Sequence, residues 1–455
     1  MKKDRKRWLK LMCAGGIVLV STLLPGMGGL TQTGVRAAGI LTASLLMWIT
    51  DAMPMSISIL LMIGASLLTG LTSPETVIGR ADGGTALFVL ASSGVTAAMA
   101  LSGIPRRMTQ WLLRGSRGST ARFVTGFALL VALCSSIMSS LATCALFAGL
   151  VSGMLGQKRT PLKRCLMLLV PACAGIGGFM TPAGTPANLL LLQLLEDAGT
   201  PVTFLQWCLI GIPAGIITTL LFAISTLLLL RPRMTALDES LLLPGKTDAR
   251  RDSHTAVILL LMLCGWIASG WVPALKLWHV ACAGVAMMLL PKVGIMNLRA
   301  LSQRINWDLV ITMGTVGILM GAVADSGLMA WLSDQLLRPL AKLPDWLLLP
   351  CISLAVCCIR AFIPTTTGAV TLLAPVLTGL AAATGQPSCV LLMLLAFWTA
   401  SAMLVVYTEP IYLITWAGRD YSAGDLLRTG AVPSLLMALP GSFLLQALTL
   451  AALGL

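Results

Sequence analysis

The sequence predicts an all-α polytopic membrane protein, with eleven transmembrane helices and two re-entrant hairpins arranged as an inverted repeat. Three observations predict this fold: the composition, the long uncharged runs and the distribution of Lys and Arg. Of the 455 residues, 57% are apolar and only 11% are charged, whereas a soluble domain carries roughly 25% charged residues. This deficit excludes a soluble globular fold, a disordered chain and a nucleic-acid-binding module. Membrane topology therefore explains the net charge of +14 best.

Uncharged runs define the spans, because a helix needs about 20 apolar residues to cross a bilayer. Runs 123–157 and 361–408 are too long for one span and suit re-entrant hairpins or broken helices. We predict the hairpins near 119–155 and 344–384. The predicted spans are 9–25, 36–50, 54–71, 83–104, 163–195 (broken), 203–230, 254–270, 279–292, 307–328, 388–418 (broken) and 425–455.

The Lys and Arg residues predict the orientation. With the N-terminus in the cytoplasm, 25 of the 31 basic residues fall inside and five outside, while Arg360 lies in the membrane. This positive-inside bias holds only if the first hairpin enters from the cytoplasm and the second from outside. No small-residue cleavage site closely follows the apolar stretch Trp8 to Leu24, which predicts a retained span rather than a signal peptide. We therefore expect a multi-pass protein of the plasma (inner) membrane, with the C-terminus outside.

The two halves of the chain echo each other at a nearly constant offset. Ala-Leu-Ser-Gly-Ile at 100–104 parallels Ala-Asp-Ser-Gly-Leu at 324–328, a shift of 224 residues. Five spans and one hairpin separate the copies, so the second copy is predicted to be inverted. Secondary transporters are commonly built this way, with their sites where broken helices meet at the midplane. The predicted parts are a first span in 1–35, a first repeat 36–230, a cytoplasmic linker 231–253 and a second repeat 254–455.

Polar clusters in the first half predict ligand contacts. The first hairpin carries Ser139, Ser140 and Thr143, whose hydroxyls suit Na⁺ or carboxylate oxygens, and helix N-termini there attract anions. Packing of small residues explains this cluster equally well. The broken fifth span contains Gly184-Thr185-Pro186-Ala187-Asn188, which interrupts a helix and frees carbonyls for a cation.

The second half carries charges at the corresponding places. Arg360 precedes three consecutive Thr at 365–367, and an intramembrane Arg is usually functional. It contacts the anion or a carboxylate such as Glu409, or else it extends to the outer surface. Glu409 follows Thr408 in the tenth span, and a proton or cation role is favoured over a structural ion pair.

These clusters define the predicted site. The predicted substrate-binding residues are Ser139, Ser140, Thr143, Thr185, Pro186, Asn188, Arg360, Thr365, Thr366, Thr367 and Thr408. The predicted ligands of a coupling Na⁺ are Ser139, Gly184, Thr185, Thr366 and Glu409.

Several motifs resemble the divalent anion/sodium symporters, the carriers of dicarboxylates, citrate and sulfate in the ion-transporter superfamily. Trp-Ile-Thr-Asp-Ala-Met-Pro at 48–54 is similar to that family's Trp-Ile-Thr-Glu-Ala-x-Pro, and Gly-Thr-Pro-Ala-Asn at 184–188 to its Gly-Thr-Pro-Pro-Asn. Ile-Asn-Trp-Asp at 305–308 resembles the segment that enters its ninth span. The resemblance covers nearly the whole chain. It implies inverted repeats, a scaffold part that dimerises and a transport part that moves as an elevator.

The chain departs from that family at both hairpin tips. The family carries Ser-Asn-Thr at each tip, whereas this chain has Ser-Ser-Leu at 139–141 and Thr-Thr-Thr at 365–367. Neither tip Asn is present. The family's second Thr-Pro-Pro-Asn is replaced by Thr-Glu-Pro-Ile at 408–411, which introduces the carboxylate.

The leading functional prediction is a secondary active transporter of a small organic or inorganic anion, coupled to Na⁺ or H⁺, without a cofactor and as a homodimer in the bilayer. One alternative is a cation/proton antiporter or arsenite-type carrier, but only Glu409 offers the midplane carboxylate expected in both halves. Another is a membrane-embedded enzyme, but His254 and His279 lie away from the polar clusters. The twelve Cys show no metal-binding spacing and are expected to be reduced, mostly buried thiols.

Overall fold

Helices are the only regular elements in the described part of the chain. The computed structural model describes all residues except 1, 27, 51, 82, 157–159, 234–248, 273, 292–293, 329–330, 332–342, 361–362, 364, 402, 406–408 and 417, and the side chains of all but these and 2–7, 49, 324, 345 and 410. The described helices are α1 Lys2–Leu23, α2 Gln32–Ile49, α3 Met55–Leu68, α4 Pro74–Gly79, α5 Gly83–Leu101, α6 Ile104–Gly115, α7 Thr120–Ser135, α8 Ser140–Leu155, α9 Pro161–Met180, α10 Pro186–Asp197, α11 Phe204–Leu230, α12 Ala249–Ala268, α13 Leu277–Leu289, α14 Leu298–Ser302, α15 Trp307–Asp325, α16 Asp345–Arg360, α17 Thr366–Thr384, α18 Ser388–Ala400, α19 Pro410–Trp416, α20 Ala423–Ala438 and α21 Pro440–Leu453.

Both predicted hairpin regions form a pair of helices joined by a short tip. The first hairpin consists of α7 and α8, and the second consists of α16 and α17. Each second helix begins after a hydroxyl N-cap, since Ser139 accepts a hydrogen bond from the Ala142 N–H and Thr365 accepts one from the Gly368 N–H. That each hairpin enters and leaves by one membrane face stays a prediction.

The predicted broken spans are interrupted as expected. The first broken helix consists of α9 and α10, and Pro186 is the first residue of α10. The second consists of α18 and α19, and Pro410 is the first residue of α19. Proline fits the first turn of a helix, where its missing N–H leaves no hydrogen bond unmade.

Five described helices are long and apolar enough to cross a bilayer by themselves, and the bent pair α20–α21 makes a sixth. Among the residues whose side chains are described, eight more apolar helical stretches have 10–17 residues. The number of spans therefore stays a prediction, because breaks and hairpin tips divide many of the apolar runs.

Three details differ from the sequence-based prediction. The predicted single span 425–455 is two helices that meet at an angle of 51°, because Pro440 cannot donate a backbone hydrogen bond to the preceding turn. Helix α6 replaces a predicted charged loop, with Trp111 exposed and Leu113 buried. Helix α12 starts inside the predicted linker and buries Asp252, which accepts a 2.8 Å hydrogen bond from the Gly103 N–H.

The two broken helices cross in the buried core. Every residue of α9 from Cys165 to Met180 is buried. A Cβ atom added to Gly175 would lie 2.6 Å from the Ala400 carbonyl oxygen, so the two backbones are nearly in contact. The rings of Phe179 and Phe397 pack edge to face beside this crossing, with centroids 5.5 Å apart. The crossing brings both helix breaks into one region of the molecule.

One of the family-like motifs, at 305–308, contacts the helix that follows the motif at 48–54. The carboxylate of Asp308, at the start of α15, accepts hydrogen bonds from the backbone N–H of Ser56, at 3.1 Å, and from its hydroxyl. An anionic group stabilises a helix N-terminus, and here it caps α3. The motif at 305–308 therefore joins α3 to α15.

Candidate substrate and ion site

The first helix break folds back on itself around an asparagine amide. Asn188 Nδ2 donates hydrogen bonds of 2.8 Å to the carbonyl oxygens of Gly178 and Thr181. The Gly184 N–H donates to the same Thr181 carbonyl, at 3.2 Å. Asn188 is almost completely buried, so these bonds satisfy carbonyls that the interrupted helix leaves without partners. The carbonyls at the end of α9 are therefore bonded to neutral donors.

The first hairpin tip lies directly against this break. The Thr181 hydroxyl donates to the Ser136 carbonyl, and the Ser135 hydroxyl donates to the Ala174 carbonyl at 2.6 Å. A Cβ atom added to Gly178 would lie 2.6 Å from both Ser140 Oγ and Thr185 Cγ2. Ser140 and Thr185 therefore face each other across a residue that has no side chain.

Two buried hydroxyls of this region are candidate ligands. Neither Thr143 nor Thr185 has a hydrogen-bond partner for its hydroxyl oxygen among the described residues. Thr185 is the N-cap of α10 but, unlike Ser139 and Thr365, its hydroxyl does not cap its own helix. A buried polar atom without a partner is unfavourable by about 1–3 kcal/mol. A bound ion or anion would supply the missing interaction.

The second half has a buried ion pair at its break. Arg360, the last residue of α16, is only 1% exposed. Its Nε donates to the Thr399 carbonyl at 3.1 Å, its Nη1 donates to the Ile363 carbonyl, and its Nη2 lies 2.5 Å from Glu409 Oε1. The Thr366 hydroxyl donates to the same carboxylate oxygen at 2.6 Å. The guanidinium thereby connects the second hairpin tip to the second broken helix.

Contacts join the two halves of the site to each other and to helices outside the site. Cys144 of the first hairpin lies 3.2 Å from the Ile411 carbonyl of the second broken helix, measured from Sγ to O. The Ser139 N–H donates to Thr96 Oγ1 of α5 at 3.2 Å. A Cβ atom added to Gly368 would lie 3.6 Å from the ring of Trp48 in α2. Each hairpin tip therefore contacts a helix outside the hairpins and the broken helices.

The structure groups the predicted site residues into two sets. One set contains Ser140, Gly184, Thr185 and Asn188 around the first break, with Ser139 and Thr143 on the adjoining helix α8. The other contains Arg360, Thr366 and Glu409, with Thr365 and Thr367 at the same tip. Pro186 contributes the first turn of α10. Thr408 lies outside the described residues.

One candidate residue was missed from the sequence. Ser401 follows α18 directly, is 1% exposed, and has no hydrogen-bond partner for its hydroxyl in the described part of the structure. A single Ser after an apolar helix gives no signal that separates it from ordinary packing. In the described residues no group of three or more His, Cys, Asp or Glu is arranged to hold a metal ion.

Two cavities lie away from the hairpin tips. A cavity of about 450 Å³ between α8, α9 and α19 is lined by Lys163 and Asp420, which form a buried ion pair 3.3 Å apart. Another, of about 640 Å³, lies between the starts of α5 and α11 and the loop before α13. Neither cavity includes a described residue of the two hairpin tips or of the helix breaks.

Comparison with known proteins identifies the family. A family model described as "Citrate transporter" matches residues 45–403 and, in a second match, residues 280–452. The chain belongs to the citrate transporter family. This membership makes the protein a transporter and a multi-pass membrane protein, and it confirms the resemblance to the ion-transporter superfamily.

Relatives of this citrate transporter family member are distant in sequence. A protein of Cupriavidus necator described as a membrane protein is 25% identical over 360 residues, 71% of this chain and 68% of the relative. A sodium-dependent dicarboxylate transporter of Staphylococcus saprophyticus is 24% identical over 384 residues, 74% of this chain and 72% of the relative. Among solved structures, the YdaH transporter of Alcanivorax borkumensis superposes with a TM-score of 0.58 at 16% identity, over 84% of this chain and 87% of that chain. The last similarity shows a shared fold.

Proposed function

We propose that this member of the citrate transporter family is a secondary active transporter of a small anion, either a di- or tricarboxylate or an inorganic anion, coupled to Na⁺ or H⁺. The buried and unpartnered hydroxyl of Thr185, at the start of α10 and opposite Ser140, is the observation that carries the proposal. It places an unsatisfied polar group where a helix N-terminus also presents backbone N–H groups. Both features favour a bound anion.

Helix N-termini support an anionic substrate. Helices α8, α10, α17 and α19 all begin at a hairpin tip or a helix break. The starts of α8 and α10 adjoin at Gly178, and Thr366 of α17 bonds to Glu409 beside the start of α19. Each N-terminus carries about half a positive charge from the helix dipole. Together they favour a carboxylate or similar anion between the two tips.

Helix boundaries support the inverted repeat. α4 and α14 begin at residues 74 and 298, and α5 and α15 begin at residues 83 and 307, a shift of 224 in both cases. The hairpins and broken helices follow in the same order in both halves. We propose that the second repeat is inverted in the membrane, with a cytoplasmic N-terminus and an external C-terminus.

The packing supports an elevator mechanism. The hairpins and broken helices form one group, while α1, α2, α3, α5, α13 and α15 pack mainly against one another. In the proposed cycle the first group carries the substrate across the bilayer, and the second forms the fixed and dimeric scaffold. Breaking contacts such as Ser139 with Thr96 would accompany this movement.

The chemistry of the site and one relative support the Na⁺ alternative. A relative is named as sodium-dependent, and hydroxyl and carbonyl oxygens at broken helices suit Na⁺. The antiporter alternative needs a carboxylate that binds and releases cations in each cycle. Glu409 is instead bonded to Arg360 and Thr366, which favours anion transport.

Uptake into proteoliposomes tests the proposal. Labelled citrate, succinate and sulfate are offered with a Na⁺ gradient, a pH gradient or neither. Thr185→Val keeps the side-chain shape and removes the hydroxyl, and it should weaken substrate binding by about 1–3 kcal/mol, roughly a 5- to 150-fold rise in KM. The matched control is Thr219→Val in α11, which removes another buried and unpartnered hydroxyl away from the tips. Equal effects of the two substitutions, or no gradient-driven uptake of any anion, would contradict the proposed function.

A further inference from the structure

The two helix breaks occupy equivalent positions but contain different charges. Ser135 and Arg360 both end the first helix of a hairpin, 225 residues apart. Ser135 bonds to the Ala174 carbonyl and Arg360 bonds to the Thr399 carbonyl, and these two acceptors are also 225 residues apart. The same contact is therefore made by a neutral hydroxyl in the first half and by a guanidinium in the second.

The surroundings of the guanidinium are those of a cation site. Its partners include the carbonyl oxygens of Thr399 and Ile363 and the carboxylate of Glu409. Carbonyls freed at a broken helix, together with a carboxylate, are ligands that broken membrane helices offer to Na⁺. The ends of α16 and α18 also add the negative ends of two helix dipoles. This arrangement of oxygen atoms requires a positive charge, and Arg360 supplies one.

The equivalent region of the first half has no such charge. Its carbonyls at Ala174, Gly178 and Thr181 accept hydrogen bonds from the neutral side chains of Ser135 and Asn188. The helix ends of α7 and α9 there present the same negative dipole ends. Two hydroxyls of this half, Thr143 and Thr185, have no partner among the described residues.

We propose that Arg360 is a built-in cation that occupies, in the second half, the position of a coupling ion, so that any coupling cation binds in the first half alone. Arg360 then travels with the protein through the cycle and is never released. The charges of Arg360 and Glu409 cancel each other, and the protein binds at most one Na⁺ per chain. The proposal rests on the proposed transport function for its meaning, but its central claim concerns the number of bound ions.

Removing the guanidinium should create an ion site. In Arg360→Ser, the second half receives the residue found at the equivalent position of the first half, and the Glu409 carboxylate and two carbonyls lose their cation. We expect this variant to bind one Na⁺ more per chain than the wild type. Arg360→Lys retains a positive charge and should bind no additional Na⁺. Arg360→Ser combined with Glu409→Gln removes the carboxylate as well and should also gain none.

Equilibrium binding of ²²Na⁺ to purified protein in nanodiscs measures this number directly, at saturating Na⁺ and with monodisperse gel filtration as the folding criterion. In proteoliposomes the Arg360→Ser variant should also show a steeper Na⁺ dependence of uptake, with a Hill coefficient higher by up to one. Two Na⁺ bound per wild-type chain would overturn the proposal, and this measurement needs no variant. A folded Arg360→Ser variant that binds no more Na⁺ than the wild type would overturn it as well.

A loss of anion binding in Arg360→Ser with an unchanged number of Na⁺ ions would assign Arg360 to the substrate instead and would also overturn the proposal. Failure of the proposed function gives a different result, because it appears as absent anion uptake by the wild type. The count of bound Na⁺ does not depend on that uptake.

Discussion

The two helix breaks follow one backbone plan and are stabilised by different chemistry. At the first break, the Asn188 amide bonds to two carbonyls. At the second, Arg360 and Glu409 form a buried ion pair that reaches two further carbonyls. Neutral hydrogen bonds hold one break, while paired charges hold the other.

This difference shows that the carbonyls of an interrupted membrane helix need hydrogen-bond donors, and that these donors can be either neutral or charged. The two halves should also differ in how strongly a substitution destabilises them. Losing a neutral donor leaves a polar group unsatisfied, whereas losing one member of a buried ion pair leaves a full charge without a partner. The second half should therefore be the more easily broken.

The largest effect is expected for Glu409→Ala. This substitution leaves the buried Arg360 guanidinium without its carboxylate, and it should lower the free energy of unfolding by about 3–5 kcal/mol. Thermal unfolding in detergent, followed by tryptophan fluorescence, measures the loss. Adding Arg360→Ala to the same chain should restore part of it, because the unpaired charge is then removed.

A matched control for this prediction is Asp325→Ala. Asp325 pairs with Arg80 at 2.8 Å, but its side chain is 61% exposed. An exposed ion pair contributes only about 0–1 kcal/mol. A loss in Asp325→Ala as large as that in Glu409→Ala would show that burial of the second break has no special role.

A smaller effect is expected for Asn188→Leu in the first half. The substitution replaces the amide by an apolar side chain of similar size, and it removes the donor of two buried carbonyls. We expect a loss of about 1–3 kcal/mol in unfolding free energy, together with reduced uptake. Gln193→Leu, a half-buried amide on the same helix, is the control. If Asn188→Leu destabilises the protein more than Glu409→Ala, the ranking of the two breaks is wrong.

The smallest effect is expected outside both breaks, for Asp308→Asn. The new side chain still accepts a hydrogen bond from Ser56 but loses the charge that caps α3. A charge at a helix N-terminus contributes about 0.3–1 kcal/mol, so the shift in unfolding should be small and the ion dependence of uptake unchanged. A large change in KM or in ion dependence would place this motif in the transport site rather than in the scaffold.

Most helix positions could be predicted from the sequence, because they follow from the distribution of charge. Uncharged runs longer than one span predicted both hairpin regions, and Ser- and Thr-rich clusters predicted their tips near Ser139 and Thr365. Pro186 and Pro410 marked the starts of the second pieces of the broken helices. Helix α6 escaped prediction because its Arg residues resemble those of a cytoplasmic loop, although its apolar residues form one face.

The hydrogen bonds and the ion pair of the site could be predicted less well from the sequence. Thr181 and Thr185 are alike in sequence, but among the described residues only the Thr181 hydroxyl has a hydrogen-bond partner, the Ser136 carbonyl at the first hairpin tip. The contact of Arg360 with Glu409 was one of three possibilities that the sequence left open. Such pairings depend on where two distant segments cross, which local residue patterns do not contain.

The crossing of Gly175 and Ala400 has a consequence for the history of the chain. If the halves descend from one duplicated segment, each was free to change its own donors, as the exchange of Ser for Arg at positions 135 and 360 illustrates. The crossing involves both copies, because a Cβ atom at Gly175 in the first half would lie 2.6 Å from the Ala400 carbonyl oxygen in the second half. Drift in one copy is therefore limited by the other at this position. In homologous chains, the side chains equivalent to Ser135 and Arg360 should therefore vary more than the glycine equivalent to Gly175.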